Sequence, residues 1–212
     1  VLSNINLDIL SDFLSKSNQV YKVPGFNQWE QICIDTGNSL ILFEPQIIFL
    51  ILDAEFLFQG YHTFKEISER IDIIFEKISM LANIYNKTKI YINNLDFYSK
   101  EIKASDTISN RNEIYKIWHN QINALMKTYA NIHYLDLFQL IHSKGSDKFY
   151  SAKMLYLASM PYSLDGLKYI YNYSEKVITN NENIRKKVLV IDLDNTIWGG
   201  VIGEDGPNGI IL

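Results

Sequence analysis

The chain has 212 residues, a formal net charge of −4, 21% charged residues and 47% hydrophobic ones. That composition supports a packed core, and the acidic balance lacks the basic footprint of a nucleic-acid binder. A single cysteine, Cys33, excludes an internal disulfide, and no Cys/His cluster suggests structural zinc, so a reducing, cytoplasmic setting is expected.

Short apolar runs alternate with helical periodicity along the chain. Val1-Leu2 reads as the stump of a buried strand, and Leu7, Leu10 and Leu14 then share one helix face. Gln19 to Val23 reads as a second strand, closed by Pro24-Gly25. Asn27 to Asp35 suits a helix capped by Asn27. Gln46 to Leu52, after Pro45, is the strongest strand pattern. It is far too short to span a bilayer, and no signal-peptide pattern opens the chain, so no membrane partner is expected.

Phe64 to Tyr85 is a long helix whose apolar residues recur every three or four positions. Lys89 to Ile92 is the next strand, Ile108 to Ala130 a further helix, and Asn131 to Leu135 a fifth strand. His142 to Ser163 is irregular and aromatic, with Phe149, Tyr150, Tyr156 and Tyr162; a helix from Ser163 to Ile178 follows. The alternation implies a five-stranded parallel sheet in order 2-1-3-4-5, inside a three-layer α/β/α flavodoxin-like sandwich. Asn180 to Asn183 is a polar hinge, which divides the chain into a domain over 1–180 and a piece of a second over 181–212. The apolar tail Gly209 to Leu212 and the non-Met start read as a fragment of a longer protein.

The chemistry-bearing motif follows the apolar run Val188-Leu189-Val190-Ile191. There Asp192-Leu193-Asp194-Asn195-Thr196 stands where a buried parallel strand would end, the position at which α/β folds bind ligands. One carboxylate there can act as a nucleophile that forms an aspartyl-phosphate, and a second can donate and accept the proton. Two carboxylates beside a phosphate need a cation with a preference for oxygen, for which Mg2+ is the natural choice. Thr196 can offer a hydroxyl to phosphate oxygens.

These residues resemble motif I of the haloacid dehalogenase (HAD) superfamily. The continuation Ile197-Trp198-Gly199-Gly200-Val201-Ile202-Gly203-Glu204-Asp205-Gly206 resembles its FkbH-like branch, subfamily IIIC. The resemblance implies an SGNH-hydrolase-like domain followed by the start of a HAD Rossmann-like domain. It implies Asp192 as nucleophile and metal ligand, and Asp194 as acid/base that gives the metal its backbone carbonyl. Asn195 and Thr196 would bind phosphate, and Mg2+ would be the cofactor. The better-known members of this branch take a glyceryl phosphate unit from 1,3-bisphosphoglycerate, dephosphorylate it and load the glyceryl group onto a carrier-protein thiol, and others occur with polysaccharide or polyketide biosynthesis. A small phosphorylated substrate and an acyl carrier protein are therefore the implied partners. The other HAD motifs lie beyond Leu212, so these 212 residues alone are expected to be inactive, with Asp192 and Asp194 holding no metal.

An SGNH hydrolase also needs a serine after the first strand and a late Asp-x-x-His. Ser3 fills the first place; Asp136 and His142, six residues apart, only approximate the second. The alternatives for this domain are therefore a degenerate module that recruits a carrier protein or sugar, or an esterase using Ser3, Asp136 and His142. Val188 to Ile191, without HAD helices to cover it, is expected to seek a partner and form a homodimer through residues 186–212.

Overall fold

The computed structural model describes residues 1–23, 27–98 and 105–181, with side chains from 105–110 and 181 set aside. Two compact units divide the chain, Val1–Ile178 and Thr179–Leu212. The motif residues 188–206 and the expected dimer segment 186–212 lie outside the described residues.

In the first unit, four strands form one parallel sheet: β1 (Leu2–Ser3), β2 (Ile47–Ile51), β3 (Lys89–Asn93) and β4 (Ile132–Leu135). Their order across the sheet is β1-β2-β3-β4. Register pairs Leu2 with Leu50, Phe49 with Tyr91, and Ile92 with Tyr134. Side chains of β2 alternate between the two faces, as the two-residue period requires. Ile48, Leu50 and Leu52 join one core, with α2 (Trp29–Ile34), α5 (Phe64–Ile84) and α6 (Ser105–Thr128). Phe49 and Ile51 join the other, with α1 (Asp8–Leu14), α7 (Leu137–Lys144) and α10 (Leu164–Asn181). A sheet buried on both faces explains the uninterrupted apolar run of β2.

Local signals account for the long helices. Thr63 and Glu66 form a capping box ahead of α5: the Thr63 hydroxyl accepts from the Glu66 N–H at 3.2 Å, and the Glu66 carboxylate accepts from the Thr63 N–H at 3.0 Å. Ile71, Ile74, Ile78 and Leu81 of α5 are buried, and so are Ile114, Trp118, Ile122 and Leu125 of α6. Phe75 and Trp118 meet edge to face at 4.8 Å between the two helices. Glu30 ties α2 to α5 through Arg70 and Lys77. Burial acts to raise the Glu30 carboxyl, but these two cations outweigh it and hold the group below its usual range.

Four expectations are corrected. Gln19 to Val23 makes no ladder, so the described sheet has four strands and not five. Two-residue β1 offers too short an edge, and the segment is held by side chains instead: Tyr21 bonds to Ser39 and packs on Phe43, while Lys22 pairs with Asp12 at 2.5 Å. Asn27 does not cap α2; it takes a left-handed φ of 56°, and Gln28 holds the cap position. The stretch from His142 to Ser163 is not irregular. It contains the end of α7, then α8 (Ser146–Phe149) and α9 (Ala152–Ala158). These helices are too short to show periodicity, and side-chain caps start two of them, Asp136 for α7 and Ser151 for α9. The remaining short helices are α3 (Ser39–Phe43) and α4 (Ala54–Leu57). Asn180 and Asn181, expected as hinge residues, continue α10.

Among the described residues, no helix is long and apolar enough to cross a membrane.

The start of α10 fits tightly against the end of α8. A Cβ on Gly166 would stand 2.4 Å from the Phe149 carbonyl oxygen, so backbone would have to move. Gly166→Ala should therefore destabilise the fold by about 1–3 kcal/mol, although alanine is intrinsically the better helix former by about 1 kcal/mol. Urea denaturation measures this; an unchanged or raised midpoint would contradict the tight fit.

Candidate functional site

Each strand of a parallel sheet delivers the residues after it to the same edge, and α/β folds bind their ligands there. At that edge Asn4, Asp53 and Asn93 are buried polar residues. The Asn4 carboxamide accepts from the Asp53 N–H at 2.8 Å and donates to the Asp53 carbonyl at 3.0 Å. From the other side, Asn93 accepts from the Leu52 N–H at 2.7 Å and donates to the Leu52 carbonyl at 2.9 Å. Asn94 donates to the Asp136 carboxylate at 2.7 Å and accepts from the Phe138 N–H at 2.7 Å. Carboxamides thus continue the hydrogen-bond ladder past the end of β2, and they join the ends of all four strands sideways. A buried amide side chain offers donor and acceptor together, as a peptide group does.

This frame holds Asp53 where it caps α4, its carboxylate accepting from the Phe56 N–H at 3.1 Å. Burial pushes the Asp53 carboxyl from 3.8 up to about 7. The Phe56 N–H works against that rise, and the neighbouring carboxylates of Glu55 and Asp96 add to it.

Beside Asp53 opens a pocket of about 740 Å³. Its walls bring together Glu55, Asp96 and Asp147, the rings of Phe97, Tyr98 and Tyr150, and His142. The Tyr150 hydroxyl donates to Asp96 at 2.7 Å, and Tyr98 stacks on Tyr150 with ring centroids 4.5 Å apart. Behind them Phe149 and Tyr162 are core residues, whereas Tyr156 is 90% exposed. The aromatic cluster noted in the sequence therefore divides into core, pocket wall and surface.

The proposed esterase residues are not brought together. The Ser3 hydroxyl donates to the Ile51 carbonyl at 2.7 Å and accepts from the Ile5 N–H at 3.1 Å. Asp136 caps α7 through the Gln139 N–H at 3.0 Å and holds Asn94. The His142 ring packs on Phe138, centroids 4.1 Å apart. β1 and β4 stand three strand spacings apart, about 14 Å. No hydrogen bond joins any two of Ser3, Asp136 and His142, so the described residues contain no Ser–His–Asp relay of the kind that activates a serine.

Cys33 is buried, and burial pushes its thiol up to about 12, which leaves it inert as a nucleophile. His133 stacks on Tyr91, and burial lowers its tendency to protonate. Among the described residues, no group of three or more His, Cys, Asp or Glu side chains could hold a metal. Asp192, Asp194, Asn195 and Thr196 lie outside the described residues.

Asn4, Asn93, Asn94 and Asp96 were not singled out by motif, and Tyr150 was noted only within the aromatic cluster. The signal was their position: the first four lie within four residues of a predicted strand end.

The sequence profile of the FkbH N-terminal domain matches residues 16–179. The chain belongs to the FkbH N-terminal domain family. Among solved structures, this FkbH domain is similar to the N-terminal part of the protein BF1531 from Bacteroides fragilis, described as containing a phosphatase domain complexed with Mg. The TM-score is 0.77 at 19% identity, over 99% of this chain and 58% of that one, a likeness of fold. The chain thus spans 58% of the length of that neighbour. No curated protein matches it.

The buried Asp53 makes the stability of the FkbH domain depend on pH. Its folded value lies above its unfolded one, so the fold favours the protonated acid. Stability should fall as pH rises from 3.8 to about 7, and the penalty is complete above that. Asp53→Asn keeps an acceptor for the Phe56 N–H and removes the penalty, whose upper bound is about 4 kcal/mol. In thermal melts the variant should exceed the parent by several degrees at pH 8 and converge with it near pH 4. Parallel melting curves across that range would contradict the buried-acid account.

Proposed function

We propose that this chain comes from an FkbH-like enzyme in which the α/β domain recruits a ligand and the segment that follows begins the phosphoryl-transfer site. The observation that supports it is the order of the two parts. A matched FkbH domain over residues 16–179 precedes the run Val188 to Ile191 and the motif Asp192-Leu193-Asp194-Asn195-Thr196.

In this reading Asp192 attacks the phosphorus of a small phosphorylated substrate. The bond from phosphorus to the leaving oxygen breaks as the aspartyl-phosphate forms, and Asp194 gives that oxygen its proton. Asp194 then takes a proton from the attacking water or acceptor, which frees Asp192 as a carboxylate. Asn195 and Thr196 supply polar groups to the phosphate oxygens. The donor set suits Mg2+, because the Asp192 carboxylate and the Asp194 carbonyl are hard oxygen ligands. Bound there, the ion would neutralise charge between carboxylate and phosphate. A glyceryl unit passed to a carrier-protein thiol is the substrate and acceptor that the FkbH resemblance suggests.

The recruiting role is favoured over an esterase by the engagement of Ser3 with Ile51 and Ile5. A large pocket with no assembled nucleophile fits a binding module.

The test uses the full-length protein and Mg2+-dependent release of phosphate from p-nitrophenyl phosphate. Asp192→Asn should lower the rate by at least about a thousand-fold, while Ser3→Ala leaves it unchanged. Full activity in Asp192→Asn would refute the assignment, and loss of esterase activity in Ser3→Ala would restore the serine reading.

A further inference from the structure

The sequence of α9 is almost wholly apolar, Ala152-Lys153-Met154-Leu155-Tyr156-Leu157-Ala158, yet none of its residues is buried. They divide by face. Met154 and Ala158 pack on the core beneath α10, and Leu155 lines the pocket at the carboxyl edge. The other side carries Lys153, Tyr156 and Leu157, which spacings of three and four bring together on a helix. Tyr156 is 90% exposed and Leu157 66%. Large apolar side chains grouped on a surface and rimmed by charge mark a place where another molecule binds.

The base of α9 extends this surface. The Ser151 N–H donates to the Pro161 carbonyl and the Ser163 N–H to the Phe149 carbonyl, each at 2.8 Å, which closes the two ends of the segment together. The Ser163 hydroxyl also donates to the Lys148 carbonyl at 2.5 Å. Leu164, 51% exposed, therefore follows directly on a residue tied to Lys148. Charge runs with the apolar side chains. From Lys144 to Lys168 there are four lysines, two aspartates, no arginine and no glutamate, a net positive stretch in a chain of net charge −4. One of those aspartates, Asp165, is paired with Lys168 at 3.3 Å.

We propose that the outer face of α9 docks an acidic amphipathic helix of a partner protein. Tyr156 and Leu157 meet its apolar stripe, and Lys148 and Lys153 meet carboxylates at its margin. Tyrosine suits the centre of such a contact, because it supplies a large amphipathic surface with few rotatable bonds. An anionic membrane would attract the same lysines, but the net charge of −4 on the whole chain opposes it. The face is small, so the contact belongs to the weak, transient class of interfaces. This goes beyond the function proposed above, and depends neither on phosphoryl transfer nor on what the pocket holds.

The test titrates full-length protein into a fluorescently labelled helical peptide with leucines on one face and glutamates on the other, read by polarisation. A second peptide has lysine in place of every glutamate. At low salt the acidic peptide should bind saturably and about tenfold more tightly than the basic one, and added salt should shrink the difference. Tyr156→Ser, Leu157→Ser and Lys153→Glu should each weaken the acidic peptide several-fold. Leu42→Ser removes an equally exposed leucine from α3 and should change nothing. Circular dichroism and melting curves check that the variants fold. Equal affinity for the two peptides overturns the proposal, as does absence of binding, or binding unmoved by the α9 variants or weakened as much by Leu42→Ser. Vesicles of phosphatidylcholine with phosphatidylserine, and sedimentation of the protein alone, test two other occupants. If the acidic peptide does not bind while vesicle binding or self-association depends on Tyr156, the face serves a membrane or a second copy, and the acidic helix is wrong.

Discussion

Two buried carboxamides hold the functional edge of this domain together. A parallel strand that ends inside a fold leaves peptide groups without partners, and each such group costs about 1–3 kcal/mol if it stays unpaired. Asn4 and Asn93 take those places on either side of Leu52 and Asp53. Asn94 and Asp136 extend the row to β4. The edge can therefore be polar where the faces of the sheet are mostly apolar. Asp53, Glu55 and Asp96 follow this row, and Glu55 and Asp96 line the pocket.

The same arrangement explains why the serine after β1 is not a nucleophile. Its hydroxyl completes the local ladder by bonding to Ile51, the last residue of β2. A serine activated for acyl transfer needs a base beside it, and the histidine that could reach back over the sheet is packed against Phe138. The parallel strand order delivers groups to one edge, and in this chain carboxamides and carboxylates occupy that edge. Under the proposed function, phosphoryl transfer belongs to the acidic motif after Ile191.

Sequence alone determined the α/β class, the long helices and the central strand, because each has a strong local signature. Ile71, Ile74, Ile78 and Leu81 mark a helix face by spacing, and the unbroken run from Ile47 to Leu52 marks a strand buried on both sides. The motif from Asp192 to Thr196, and the family it resembles, were likewise legible as a contiguous string. Tertiary structure decided the rest. Whether Gln19 to Val23 pairs depended on the length of β1, which the local pattern of 19–23 does not report. Whether Ser3, Asp136 and His142 meet depended on which hydrogen bonds the strand ends take first. The pocket joins residues from 55 to 161 that share no local pattern, so no window of sequence contains it. Local periodicity reports which face of an element is buried; only the packed sheet reports which element ends meet, and that meeting sets the charge of the site.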